Sequence, residues 1–123
     1  MDLSSETRTA LRRGEALYRQ GRYFDAHEAW EEVWRVEHGE VRALLGGLIQ
    51  VAAALHHALV RHRAIGAARL FAAAQERLAP LGPRADGLDL ERLRDEVRRA
   101  LGAARRWERG EAEGFPAELA PRL

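Results

Sequence analysis

The run Leu44–Val60, LLGGLIQVAAALHHALV, constrains the fold more than any other part of the sequence, because it is apolar on nearly every side. A helix without a polar face has to be covered by other elements, which puts this one at the centre of a bundle. Only Gln50, His56 and His57 interrupt it. With about 100° of turn per residue, Gln50 and His57 fall nearly in line. Gly46, Gly47, Ala53 and Ala54 flank that line, whereas Leu48, Leu55 and Leu59 project the other way. One face is therefore bulky, and the other is shallow and carries an amide and an imidazole. The run falls short of the ~20 apolar residues of a membrane span, so a core helix is expected and a membrane is not.

The rest of the chain supplies the cover. Ser4 or Ser5 can cap a first helix reaching Gln20, with Leu11, Gly14, Leu17 and Tyr18 as its apolar stripe and Gly21 as its stop. A second helix follows from Tyr23 or Phe24 to about Glu37, and His38-Gly39 ends it. So short a connection makes the two antiparallel neighbours. The central helix spans about Val41 to Arg61, and His62-Arg63-Ala64 forms a tight corner before a fourth, Ile65–Ala79. Pro80-Leu81-Gly82-Pro83 closes that helix, and Asp89 caps a fifth, Leu90 to about Arg109. No alternating strand pattern of useful length is present. The expected fold is all-α: a single-domain bundle of about five helices over residues 1–109, joined as consecutive antiparallel hairpins. Residues 110–123 read as an irregular tail, packed on the bundle or trailing from it, with Phe115 and Leu119 placed to pin it.

Composition removes several classes of function. A formal net charge of +1 gives no electrostatic pull toward nucleic acid or an anionic membrane. Every basic residue is arginine, and the chain has no lysine, asparagine or cysteine. Disulfides, thiol nucleophiles and thiolate metal sites are thereby excluded. The bias suits a heat-adapted source, and GC-rich coding would produce it equally well. Arg92, Arg98, Arg99, Arg105, Arg106 and Arg109 on the last helix are interleaved with Glu91, Asp95, Glu96 and Glu108. That is a mixed-charge solvated face, and nucleic-acid binding is not expected from it. The amino-terminal MDLSSETRTALRRGEAL is too charged for a secretory signal, so a cytoplasmic protein is expected.

Candidate chemistry gathers on the second and third helices. Trp30 centres an apolar face with Tyr23, Ala26, Val33 and Trp34; His27 lies inside that face and Glu31 at its edge. Asp25, Glu28, Glu32 and Arg35 fall on the solvated side, where Glu28 or Glu32 can pair with Arg35. Side-by-side helices would bring His27 and Glu31 toward Gln50 and His57, across a gap that Gly46, Gly47, Ala53 and Ala54 leave for Trp30, Trp34 or a small ligand. Three arrangements fit. In the first, the four polar groups form a buried network that satisfies itself and fixes register, with no ligand. In the second, His27, Glu31 and His57 hold a divalent metal such as zinc or iron, although His-Glu-x-x-Glu lacks the second histidine of the zincin motif, and no cofactor is expected. In the third, Glu31 tunes His27 for acid–base catalysis while Gln50 orients a substrate, with His57 in the same cluster. His56 points away from Gln50 and reads as a core or boundary histidine, and Arg61 continues the Gln50–His57 line toward solvent.

The segment Tyr23-Phe24-Asp25-Ala26-His27-Glu28-Ala29-Trp30-Glu31-Glu32-Val33-Trp34 resembles the signature of a domain-of-unknown-function family, number three-hundred-and-nine. The block Leu45–His57 and the Gly66-Ala67-Ala68-Arg69-Leu70 run are similar to its second and third motifs, and the likeness covers about Ala10 to Pro83. The resemblance implies a compact helical domain and brings no activity with it. It directs attention to His27, Glu28, Glu31, Gln50 and His57. The leading functional expectation is a binding or interaction module, with homo-oligomerisation open and an enzyme as the alternative.

Overall fold

The computed structural model describes residues 1–123. Five α-helices follow one another: α1 (Ser5–Arg19), α2 (Tyr23–Trp34), α3 (Gly39–Leu55), α4 (Ala64–Leu78) and α5 (Leu90–Glu108). Each packs on its neighbours in sequence, so the chain is a string of helical hairpins folded round α3, which α2 and α4 flank. Leu44, Leu45, Leu48, Val51 and Leu55 of α3 are fully buried together with Phe71 and Leu78 of α4. The stretch Gly39–Val60 is long and apolar enough to cross a membrane; its most apolar 18-residue window has mean hydropathy 1.7 and is 61% buried inside the bundle.

Local signals set the helix ends. The Ser4 hydroxyl accepts from the Thr7 backbone N–H at 3.1 Å, and Asp89 accepts from that of Arg92 at 3.0 Å. Gly21, at φ +77°, turns the chain from α1 into α2. Trp30 then seals the first hairpin: it is fully buried, and its indole N–H donates to the Leu11 carbonyl at 3.1 Å.

The structure corrects the expected elements in three places. The second helix ends at Trp34 rather than near Glu37, and Arg42 caps that end by donating to the carbonyls of Trp34 and Glu37 at 3.2 and 3.4 Å. Its guanidinium carbon also lies 4.0 Å over the Trp34 ring. The third helix does not run as an α-helix to Arg61: His56–Val60 forms a π-helical turn, with Arg61 N–H donating to the His56 carbonyl at 3.0 Å. A two-residue-per-strand hairpin, β1 (Arg84–Ala85) with β2 (Leu88–Asp89), lies between α4 and α5. Asp86 and Gly87 make its turn at φ 47° and 86°, the left-handed pair that Asp-Gly favours.

The tail is irregular apart from a single 3-10 turn, Ala117–Leu119, and it lies packed on the bundle. Phe115 stacks on buried Phe71 with ring centroids 5.6 Å apart. The Tyr18 hydroxyl donates to the Pro121 carbonyl, and Arg122 pairs with Glu96 at 3.0 Å. Leu119, 36% exposed, belongs to the turn that packs on α5, and Pro121 is buried beside Tyr18 of α1.

Candidate functional site

Of the four side chains expected to meet across α2 and α3, His27 and Glu31 lie together on α2. His27 and Glu31 line a groove of about 330 Å³ on the outer face of α2, with Phe24, Glu28, Glu32 and Arg35. Neither Gln50 nor His57 lines it. His57 instead packs on α4: a Cβ placed on Gly66 would lie 2.5 Å from its Nδ1. The α-helix gives way to a π-helical turn over His56–Val60, and His57 lies within that turn. Gln50 stays half-buried on regular α3.

The narrow gap of small residues is filled rather than open. A Cβ on Gly46 would meet Arg77 at 2.9 Å and Trp34 Nε1 at 3.2 Å, and one on Gly47 would meet Leu78 at 2.4 Å. Ala54 is fully buried and Ala53 half-buried. Trp30 does not use this gap at all; its ring lies over Gly14 of α1. These glycines let α2 and α4 approach α3, and they leave no ligand chamber beside Gln50.

The metal arrangement is corrected on the same geometry. His27, Glu31 and His57 do not form one donor set, and no three histidine or carboxylate side chains converge anywhere in the chain. The self-satisfying buried network fails too, since Nδ1 of His27 and Nδ1 of His57 are both buried without a hydrogen-bond partner.

What remains is a smaller unit on α2. His27 Nδ1 lies 3.4 Å from Glu31 Oε2, one turn on, as the i,i+4 spacing requires. This is an ion-pair contact when the imidazole is protonated; the alignment is too poor for a hydrogen bond. Arg35 holds the other oxygen of Glu31 at 2.8 Å, displacing the expected Glu28 or Glu32 partners. Glu28 and Glu32 are exposed and make no ion pair, so the groove carries two uncompensated carboxylates. Glu32 also lines an adjoining groove of about 400 Å³ between α1 and α2.

Phe24 was missed by the sequence reading. It is 54% exposed, lies nearly parallel to the His27 ring at 6.1 Å (4° between planes), and touches the His56 ring at 5.6 Å. An aromatic residue one turn ahead of His27 and Glu28, on the polar side of an amphipathic helix, was the available signal. His56 is thus the histidine facing α2, at the boundary as expected, while His57 faces α4. Burial, then the neighbouring charges of His56, Arg63 and Arg61, depresses the pKa of His57 below the usual imidazole value.

The comparisons with known proteins bear on the same segment. No curated protein matches the chain significantly. Residues 11–70 match the model of a family described as a domain of unknown function (DUF309). That segment contains all of α2 and α3, the groove residues and Gly66, and over it the chain is similar to that family.

Proposed function

We propose that the chain is a binding module that recognises a cationic side chain, arginine above all, in the groove on α2. The observation carrying this reading is the pairing of an exposed aromatic face, Phe24, with two carboxylates that make no ion pair, Glu28 and Glu32. A guanidinium can stack on the ring while its planar fork reaches a carboxylate. His27 stacked behind Phe24 fixes the ring, and Arg35 fixes Glu31, so part of the site is organised before a partner arrives. The groove is open, which suits a side chain presented by another protein rather than an enclosed metabolite.

Titration of the protein with an acetylated tri-arginine peptide, followed by calorimetry or by NMR shifts, tests the reading. Weak binding is expected, falling as salt rises and falling again in Phe24→Ala and in Glu28→Gln/Glu32→Gln. An absence of binding, or binding indifferent to these substitutions, would remove the proposal.

The His27–Glu31 contact supports a second reading, acid–base catalysis with Glu31 orienting the imidazole. Such chemistry would have to run without Gln50 and His57, which line no part of the groove.

A further inference from the structure

We infer that the cationic partner of the α2 groove is a second copy of this chain, bound through a twofold interface at the end of the bundle where α2 begins and α3 gives way to α4. The inference rests on the cation-binding reading above and names its partner.

Three of the large apolar side chains most exposed in the molecule gather at this end: Phe24 at 54%, Val60 at 55% and Ile65 at 61%. They are linked through the backbone and ring contacts already described. Phe24 touches His56, which opens the π turn that Val60 ends. His57 of the same turn packs on Gly66, the residue after Ile65. Large apolar side chains exposed together at one end of a fold are candidates for an interaction surface.

The charges around the patch are self-complementary. On one side, Glu28 and Glu32 have no ion pair; on the other, exposed Arg61 and Arg63 have none either. In an isologous interface each contact occurs twice with the copies exchanged. A twofold axis passing near His56 would bring Arg61 and Arg63 of each copy over the carboxylates of the other, and close the apolar side chains between them. With a net charge of only +1 per chain, long-range repulsion does not oppose the approach.

Sedimentation velocity and light scattering from low to high micromolar protein provide the test. The expected species is twice the 13.8 kDa chain mass, becoming monomer in Ile65→Glu and in Val60→Glu with helicity and unfolding retained. Both positions are exposed, so the fold does not depend on them. Charge reversal separates this interface from any other. Glu28→Arg/Glu32→Arg alone, or Arg61→Glu/Arg63→Glu alone, should dissociate the dimer, and mixing the two variants should restore it as a heterodimer. Tri-arginine peptide should compete with self-association. A chain that stays monomeric at every concentration, or a dimer indifferent to both charge reversals, would overturn the inference. A monomer that still binds tri-arginine would overturn the dimer alone, and one that binds nothing would overturn the groove reading as well.

Discussion

A Cβ added to Gly14 would lie 2.0 Å from Nε1 of Trp30, the nitrogen that donates to the Leu11 carbonyl. The indole is fully buried and cannot retreat without breaking that bond. Gly14→Ala gains about 1 kcal/mol of helix propensity. It loses more, through overpacking of about 1–3 kcal/mol and a disturbed buried hydrogen bond of about 1 kcal/mol. Chemical denaturation should therefore show net destabilisation. Gly102 of α5 gives the contrast: it is exposed and no heavy atom would meet its Cβ within 4 Å. Gly102→Ala should stabilise by roughly 0.5–1 kcal/mol. The opposite signs at two helical glycines are the measurement; two losses, or two gains, would contradict the packing described.

Asp86 ties the hairpin turn to α1, with Arg8 at 3.1 Å and Arg12 at 2.6 Å from its carboxylate. The hydrogen bond from Arg8, and then the charges of Arg8 and Arg12, hold its pKa below the ordinary carboxylate value. The folded value is the depressed one. Its stabilisation is therefore present above the unfolded pKa of about 4 and lost as pH falls through the folded value. Asp86→Asn should lower stability modestly at neutral pH and flatten the acid limb of the stability–pH curve. An acid limb identical to that of the unmodified chain would show that the clip contributes nothing.

How much of this was legible follows the range of the physics involved. The caps Ser4 and Asp89, the stop at Gly21 and the central place of α3 depend on local residues and periodicity, and they were readable. The His27–Glu31 contact was readable too, since i,i+4 neighbours meet on any α-helix. The packing of His57 was not, because its contact with Gly66 of α4 is made between elements and no spacing along α3 announces it. The strands of the hairpin are too short for alternation to register, although Asp86-Gly87 between Ala85 and Leu88 was a turn signal in plain sight. Which neighbour fills the glycine gap is a tertiary matter. Nothing local says that Gly47 receives Leu78 of α4 or that Trp30 turns to Gly14.

Tyr18 reports on the tail. Its buried hydroxyl donates to the Pro121 carbonyl across most of the chain's length, and burial raises its pKa well above the ordinary phenol value. Tyr18→Phe removes the donor and leaves a carbonyl beside buried Pro121 without its partner, at a cost of about 1–2 kcal/mol. The loss should appear as faster amide exchange in residues 115–123 before it appears anywhere in α3. Uniform destabilisation of the whole bundle, with the tail exchanging no faster than the core, would mean that the strap is not a separate unit.

His57 should govern stability in mildly acidic solution. Its Nδ1 is buried without a partner, it packs on Gly66 of α4, and the charged groups around it are His56, Arg61 and Arg63, all of one sign when protonated. No carboxylate faces it to favour the imidazolium, so burial and these cations set its pKa below the unfolded value of about 6.5. As pH falls through that value the unfolded chain takes up a proton that the folded chain refuses, and stability declines until the folded pKa is passed. Urea unfolding followed from about pH 8 to pH 5 should show that decline, reduced in His57→Gln, which keeps a polar group but cannot be charged. An NMR titration placing the His57 imidazole at or above the ordinary value would remove the cause, and an unchanged slope in His57→Gln would assign the decline to another group.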